Sequence, residues 1–518
     1  MKCLNLLALD LGAESGRAVL GRFDGERLSF EEVHRFANEP VELPDGLHWD
    51  ALRLSHEMKH GLALAVKQEG RIDALGVDAW GVDFGLLDGG GALLDNPYHY
   101  RDHRTDGILD EVFRVASPRE IFARTGIQFM QINSLFQLFA LRRQRGALLQ
   151  TARHLLFMPD LFHYFFTGRM VNEYTVASTS QMLDAGTGQW ANDLLDKMQL
   201  PTAILGPIVP PGTVLGPLRA SVAGETGARD TVVVAPGCHD TASAVAAVPV
   251  GRADATAVGA TATVDIAPGY AYISSGTWSL LGVEASRPLL GDGVARLNLT
   301  NEGGVGGTIR LLKNIMGLWL VQQCRRAWQR DGEDLSYDQI ARLAEEAPSL
   351  ISLVDPNDVS FLSPPDMPQA IREFCRRTGQ SVPENKGAIV RCVLESLALC
   401  YRLTVEQLES VIGHPIGVIH ILGGGSKNRL LDQFTADATG RLVVTGPGEA
   451  TAIGNLLVQA MALGYLRNLE ELRQVVRRSF PLEQFEPRTQ ARSAWDEAYG
   501  RFRKLNGGGS LRWREHGR

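Results

Sequence analysis

Leu4-Asn5-Leu6-Leu7-Ala8-Leu9-Asp10-Leu11-Gly12-Ala13-Glu14-Ser15-Gly16-Arg17 is the stretch that decides the fold. Leu4 to Asp10 reads as a buried strand, broken at Gly12. Arg17 to Arg22 and Ser29 to Arg35 read as two further strands, with Asp24-Gly25 as the hairpin turn between them. An amphipathic stretch from Asp50 to Lys67 reads as helix, capped by Asp50. Ala74 to Asp78, Phe84 to Leu87 and Leu93 onward return to strand. Three strands, a helix and a strand make an α/β pattern, but one that starts antiparallel, unlike a dinucleotide-binding fold.

Further along, Arg114 to Thr167 reads as mostly helical, and Thr231 to Ala235 as a strand ending at Pro236-Gly237. Residues 249–270 are small and weakly patterned, a hinge or inserted ribbon. The opening pattern then restarts: strand Tyr272–Ser274, a glycine turn, strand Trp278–Val283. Helices are expected at Gly307–Trp328 and Gly387–Val411, and a last strand at Gly417–Leu422. Both halves thus open with strand, small-residue turn and strand, which suggests an internal duplication. Two such hairpins facing each other would clamp a polyphosphate. The expected division is an N-terminal domain over 1–248, a hinge over 249–270, a C-terminal domain over 271–482, and a terminal helix with a frayed tail over 483–518.

The 518 residues are 44% hydrophobic and 21% charged, enough apolar material to exclude disorder for most of the chain. With 52 Lys+Arg against 59 Asp+Glu, the net charge of −7 argues against nucleic acid as a partner. No apolar run reaches ~18 residues, so no spanning helix is expected. Asp10 also arrives too early for a signal-peptide core, and a cytoplasmic monomer or weak homodimer is the expectation. The six cysteines contain no CxxC pair and form no zinc framework. Cys375 and Cys392 either meet where two helices pack side by side or remain free core thiols. Glycine is in excess, 55 residues gathered in short clusters, several of them after apolar β-rich runs.

Four motifs carry chemistry. The turn after Asp10 offers backbone N–H groups for phosphate and a carboxylate for magnesium; otherwise it is an ordinary hairpin with an exposed Asp. It is not a Walker A loop, since no Gly-Lys-Ser/Thr follows. Ser274-Ser275-Gly276-Thr277 is hydroxyl-rich and gains a functional reading from its pairing with the first turn. In Pro236-Gly237-Cys238-His239-Asp240-Thr241-Ala242-Ser243 the helix is expected to start at Thr241, which makes Asp240 either a plain N-cap or a rigidly held proton acceptor. Gly423-Gly424-Gly425, followed by Gln433, Ala436, Asp437 and Glu449 to Gly454, reads as a place where a base or ribose lies against backbone. His99 and His103 stand at metal-pair spacing but lack a third ligand; Arg101, Asp102 and Arg104 look more like groups lining a sugar site.

In this order the motifs resemble the FGGY carbohydrate kinases of the actin–Hsp70–hexokinase ATPase superfamily, from Leu6 to about Leu482. The segments that carry the resemblance include Asp78-Ala79-Trp80-Gly81-Val82-Asp83-Phe84, Gly126-Ile127-Gln128-Phe129 and Leu312-Lys313-Asn314-Ile315-Met316-Gly317-Leu318-Trp319, the runs from Trp80 to Phe84 and from Lys313 to Trp319 being the more specific. The resemblance implies two actin-like (ribonuclease H-like) α/β domains with the active site in the cleft between them. It implies ATP contacts from Ala13, Glu14, Ser15, Gly16 and Arg17, from Thr277, and from Gln322 and Gly424. Gly81, His239, Asp240, Thr241 and Asn314 would hold the sugar, with Asp240 as proton acceptor and Asp10 in the water shell of Mg²⁺. The implied reaction is transfer from MgATP to the terminal hydroxyl of an open-chain ketose, L-rhamnulose at O1, with L-fuculose or D-xylulose as alternatives. Trp80 and Phe84 either wall the methyl group of such a deoxy-sugar or belong to the core. A non-catalytic nucleotide switch is the remote alternative. Two departures stand out: Glu14 puts a negative charge inside the first phosphate turn, and 249–270 is longer than the family leads one to expect.

Overall fold

A computed structural model describes residues 3–251 and 269–506. The first half forms a six-stranded sheet. Strands β1 (Leu4–Leu11), β2 (Ser15–Phe23) and β3 (Leu28–Ala37) form an antiparallel meander, followed by helix α1 (Ala51–Glu69) and strand β4 (Ala74–Ala79). Later strands β5 (Thr213–Pro217) and β6 (Val232–Ala235) complete it, in the order β5-β6-β4-β1-β2-β3. β1 and β4 pair in parallel and are buried almost throughout, as near-continuous apolar runs dictate. Helix α1 begins where Asp50 accepts from Arg53 N and ends at Gly70, φ 74°, which supplies the left-handed turn. Helix α2 (Asp240–Ala246) follows β6.

The second half repeats this plan. Its strands are β7 (Gly269–Ser275), β8 (Trp278–Ala285), β9 (Thr300–Gly303) and β10 (Ile309–Met316). After helices α3 (Trp319–Arg330), α4 (Met367–Arg377) and α5 (Lys386–Ile412) come β11 (Ile416–Leu422), helix α6 (Arg429–Thr439), strand β12 (Leu442–Thr445), helix α7 (Ala450–Ala462) and strand β13 (Glu483–Phe485). The order is β9-β10-β8-β7-β11-β12-β13, so β10-β8-β7-β11-β12 reproduces β3-β2-β1-β4-β6. The antiparallel-then-parallel pairing is the same in both halves. Helices α2 and α7, one from each half, pack directly on each other.

Several expectations require correction. Ile309–Met316 is a strand, so the helix expected from Gly307 begins only at Trp319; Arg310, Lys313 and Asn314 are polar residues inside an otherwise apolar buried run, and they break its period. The strand at Gly417–Leu422 is not the last, since β12 and β13 follow. Leu93 makes only an isolated bridge to Leu87. The helical middle contains a short strand, His154–Phe157, paired with Phe84–Leu87. Of the stretch 249–270, residues 252–268 lie outside the described residues, as does the tail from Gly507. Cys375 and Cys392 do come together, on α4 and α5, as free thiols.

Candidate active site

The two β-hairpin turns face one cavity of about 340 Å³ between the sheets. In the first, Gly12 N donates to Ser15 O at 2.9 Å, while Asn38 grips the loop through Nδ2 to Gly12 O at 2.7 Å. Ala13, Glu14 and Ser15 line the cavity. Gly16 and Arg17 lie behind it. A Cβ on Gly16 would stand 2.2 Å from the Phe36 ring, so this glycine is required by packing. Arg17 pairs with both Asp10 and Glu449, and Asp10 above all holds its pKa up. Glu14 turns to Arg326 of α3, 3.0 Å away, which offsets its charge.

In the second turn, Gly276 N donates to Trp278 O at 2.8 Å and Leu318 N to Gly276 O at 3.0 Å, tying the turn to the start of α3. Thr277 and Gln322 line the cavity. The three consecutive glycines serve three purposes. Gly423 has φ 79°, Gly425 would place a Cβ 1.9 Å from Ser275 Oγ, and Gly424 has nothing within 4 Å and faces the cavity.

At the other end, Trp80, Gly81 and Val82 form a wall. Asp83 sets their positions: its Oδ2 accepts from Trp49 Nε1 at 2.6 Å, Trp80 Nε1 at 3.0 Å and Tyr100 N at 3.1 Å. Burial pushes the Asp83 carboxyl up to about 6 in spite of these donors. Val82 has φ 67°, a left-handed conformation costly for a β-branched residue, and Thr179 Oγ1 holds its N–H at 3.1 Å. Trp80 reaches the cavity while packing tilted against Trp49, their ring centroids 4.1 Å apart. Phe84 is buried in the core and does not reach it.

His239, Asp240 and Thr241 close the floor. Asp240 is the first residue of α2, not its cap; His239 takes that position without a side-chain bond. The Asp240 side chain folds onto its neighbour instead, Oδ1 accepting from Thr241 N at 2.5 Å and Thr241 Oγ1 at 3.1 Å. Burial raises its pKa. Asp10 and Asp78 are register partners on β1 and β4. Burial, then the Asp10 charge, pushes the Asp78 carboxyl well up. Asn314 also lines the cavity, held by Gln128: Asn314 N donates to Gln128 Oε1 at 2.9 Å. Gln128, Glu302 and Tyr100 were not singled out from sequence; for Gln128, its place in Gly126–Phe129 was the available signal.

Other candidates fall elsewhere. Arg101 stacks on Trp319 at 3.9 Å, Asp102 binds Leu47 N at 2.8 Å, and Arg104 lies over the Tyr98 ring at 4.1 Å; none of the three lines the cavity. His99 is buried, its pKa driven down to about 3 by burial, whereas His103 is exposed and pairs with Asp106, so the two share no metal. Asp437 binds Arg488 and Gln433 outside the cavity. Asp160, His163 and Cys238 cluster beneath Asp240, yet His163 Nε2 accepts from Val77 N at 3.0 Å. A neutral imidazole used that way carries its proton on Nδ1 and has no lone pair left for a metal.

Models of the FGGY family of carbohydrate kinases match this chain, the N-terminal domain over residues 5–247 and the C-terminal domain over 271–463. The chain belongs to the FGGY family of carbohydrate kinases. It is 46% identical to rhamnulokinase of Bacteroides thetaiotaomicron, over 96% of this chain and 99% of that protein. It is 41% identical to rhamnulokinase of Pectobacterium atrosepticum, over 98% and 97%. Among solved structures, gluconate kinase from Lactobacillus acidophilus superposes with a TM-score of 0.78 at 15% identity, covering 99% of each chain. Xylulose kinase from Rhodospirillum rubrum gives 0.75 at 20% identity, covering 97% and 98%. The FGGY kinases' two-domain α/β architecture is therefore the fold of this chain, which acts as an ATP-dependent sugar kinase. Among the described residues, no helix is long and apolar enough to cross a membrane.

Proposed function

We propose that this kinase transfers the γ-phosphoryl group of ATP to O1 of L-rhamnulose, giving L-rhamnulose 1-phosphate and ADP. The observation that carries the reading is Asp240. Its Oδ1 is committed to Thr241, which leaves Oδ2 for a substrate hydroxyl in a cavity bounded by both phosphate turns. The curated relatives named for this activity supply the choice of sugar.

In this reading the ketose lies against Trp80 and Gly81, with His239, Thr241 and Asn314 on its polar side. Asp240 accepts the O1 proton as the oxygen attacks phosphorus, a contribution of ~10²–10⁴-fold in rate. Burial has raised the Asp240 pKa, which improves it as a base. Phosphoryl transfer otherwise rests on alignment and charge neutralisation. Ala13, Glu14 and Ser15 on one turn and Thr277 on the other offer backbone and hydroxyl donors to the phosphates, while Gln322 and Gly424 face the nucleoside. Gly16 and Arg17 act indirectly, the former through packing and the latter by holding Asp10. The donor set suits Mg²⁺: Asp10 lines the cavity as a carboxylate, the hard oxygen ligand this ion takes singly or in pairs while keeping its waters. Bound there, the ion would neutralise charge on the phosphate oxygens.

ADP release measured with L-rhamnulose, L-fuculose, D-xylulose and glycerol offered separately, beside Asp240→Asn, tests the proposal. Preferred turnover of L-rhamnulose, lost by at least ~10²-fold in the variant, is expected. Equal turnover of another sugar overturns the substrate, and near-normal turnover by Asp240→Asn overturns the base.

A further inference from the structure

Arg310 is a fully buried guanidinium near the start of β10. It stands in register with Glu284 on β8 and Glu302 on β9. Removing such a cation from water is costly, and its partners show what it is used for. Nε donates to Gly303 O at 2.8 Å, Nη2 lies 3.2 Å from Glu302 Oε2, and the same Nη2 lies 3.0 Å from Nδ1 of His239. The last contact joins the two halves of the molecule, since β10 belongs to the second sheet and His239 precedes α2 of the first. On the other side of the imidazole, Nε2 stands 3.4 Å from Asp240 Oδ1.

We infer that Arg310 is a positioning residue for the phosphoryl transfer: from the second half it fixes the tautomer and orientation of His239, and through His239 the free oxygen of Asp240. The inference rests on the reading of Asp240 as base. Two groups face His239 Nδ1, the Arg310 guanidinium at 3.0 Å and Glu302 Oε2 at 3.4 Å. A guanidinium donates and never accepts, so at the closer contact Nδ1 must be the acceptor. The neutral ring then carries its proton on Nε2, the nitrogen turned towards Asp240. The His239 backbone is pinned separately, its N–H donating to Thr175 Oγ1 at 3.1 Å.

The consequence for Asp240 is specific. Thr241 N, Thr241 Oγ1 and His239 Nε2 all approach the same oxygen, Oδ1. With two hydrogen bonds on Oδ1 and His239 Nε2 facing it at 3.4 Å, the carboxylate is held against turning to exchange its oxygens, and Oδ2 is left for the hydroxyl. If His239 took the other tautomer, a lone pair would face Oδ1 and repel it. Because the fixing group is on the opposite half, the base is fully set only when β10 lies against the His239 loop. Gly303 N to Ser178 Oγ at 2.7 Å and Asn301 N to Gly126 O at 2.9 Å hold that edge in place.

The test is a cycle of variants of the full-length enzyme, each assayed for kcat and KM with L-rhamnulose and MgATP and for thermal unfolding. Arg310→Met is expected to lower kcat by about 10–100-fold, with both KM values within about threefold of the parent, as for removal of a group that orients another. Arg310→Lys, which keeps a donor beside Nδ1 and a cation beside Glu302, should recover part of the loss. His239→Gln removes the tautomer choice, because an amide N–H needs no donor on its far side. In that background Arg310→Met should bring no further fall in kcat. Should Arg310→Met fail to fold, Arg310→Lys alone and with His239→Gln repeats the cycle. A kcat within twofold of the parent in folded variants overturns the inference. So does a loss that multiplies with that of His239→Gln, or one confined to the KM for sugar. Asp240→Asn separates the two readings: if it keeps turnover, the base assignment fails; if it is inactive while the Arg310 variants run at the parent rate, only the positioning role fails.

Discussion

Gly454 of α7 sits where the helix crosses α2, the helix that begins at Asp240. A Cβ at this position would lie 1.8 Å from Ser243 O and 2.6 Å from Ser243 C, both backbone atoms. Ordinary contact begins near 3.4 Å, so in Gly454→Ala the helices must part by about 1.5 Å. No rotamer change absorbs this, because the obstruction is main chain. Overpacking of this kind costs ~1–3 kcal/mol. At ~2–4 °C per kcal/mol for a domain of this size, the unfolding midpoint should drop by about 2–12 °C. The kinetic effect should be larger in proportion. Ser243 is one turn from Asp240, and a displacement of ~1 Å at reacting groups is worth ~10²-fold in rate. Thermal unfolding followed by steady-state ADP release gives both numbers. Gly500→Ala is the control: Gly500 is an exposed helical residue with nothing within 4 Å of its Cβ position, and its substitution should be neutral or slightly stabilising. An unfolding midpoint within 1 °C of the parent and a kcat within twofold would refute the argument, and with it the idea that Asp240 is placed by the α2–α7 contact (thresholds of roughly this size follow from the range above).

Two further outcomes follow from the same geometry. Gly424→Ala meets no protein atom within 4 Å, so stability should be unchanged while the KM for ATP rises several-fold; an unchanged KM removes Gly424 from the nucleotide site. Glu173, whose carboxylate accepts from Thr175 N, Thr175 Oγ1, Val176 N and Cys238 N, is pushed by burial from 4.5 up to about 7. The folded state then holds a proton that the unfolded chain releases, so this group's contribution to stability is full below about pH 4.5 and is lost as pH rises through about 7. Relative to the parent, Glu173→Gln should therefore gain stability between pH 5 and pH 8 in thermal unfolding, and a constant difference across that range (roughly the window of the shift) would contradict the assignment.

The duplicated meander was legible because its signals are local. Leu4–Asp10 and Tyr272–Ser274 are apolar runs that end in small-residue turns, and no distant residue is needed to read them. β10 was misread for the opposite reason. Arg310 and Lys313 look like the polar face of a helix until Glu302 and Leu297 O are known to receive them, and those partners are set by tertiary structure. Likewise Arg101 and Arg104 carry the composition of a sugar site, yet Trp319 and Tyr98 occupy their faces. The triple glycine was read as a ligand contact; Gly423 and Gly424 line the cavity, and of these only Gly424 has open space beside it. Its neighbours answer to a positive φ and to Ser275, constraints that no spacing rule exposes. What sequence reading cannot supply is which polar groups face each other across the two halves, and that is where Gln128, Glu302 and Arg310 act.

The charges around the cavity give that division a chemical meaning. Among the described residues its acidic and histidine lining is Asp10, Glu14, His239, Asp240 and Glu302, without a lysine or arginine. Arg17 is spent on Asp10 and Glu449, Arg326 on Glu14, and Arg310 on Glu302 and His239. ATP brings several further negative charges into this acidic cleft, and backbone N–H groups at the turns carry only partial charge. The divalent cation proposed above would therefore answer the protein's own carboxylates as much as the nucleotide. The same arrangement serves Asp240. A lysine or arginine beside it would lower the proposed base's proton affinity; as it is, burial raises the Asp240 pKa against the opposing pull of His239, whose Nε2 stands 3.4 Å from Oδ1.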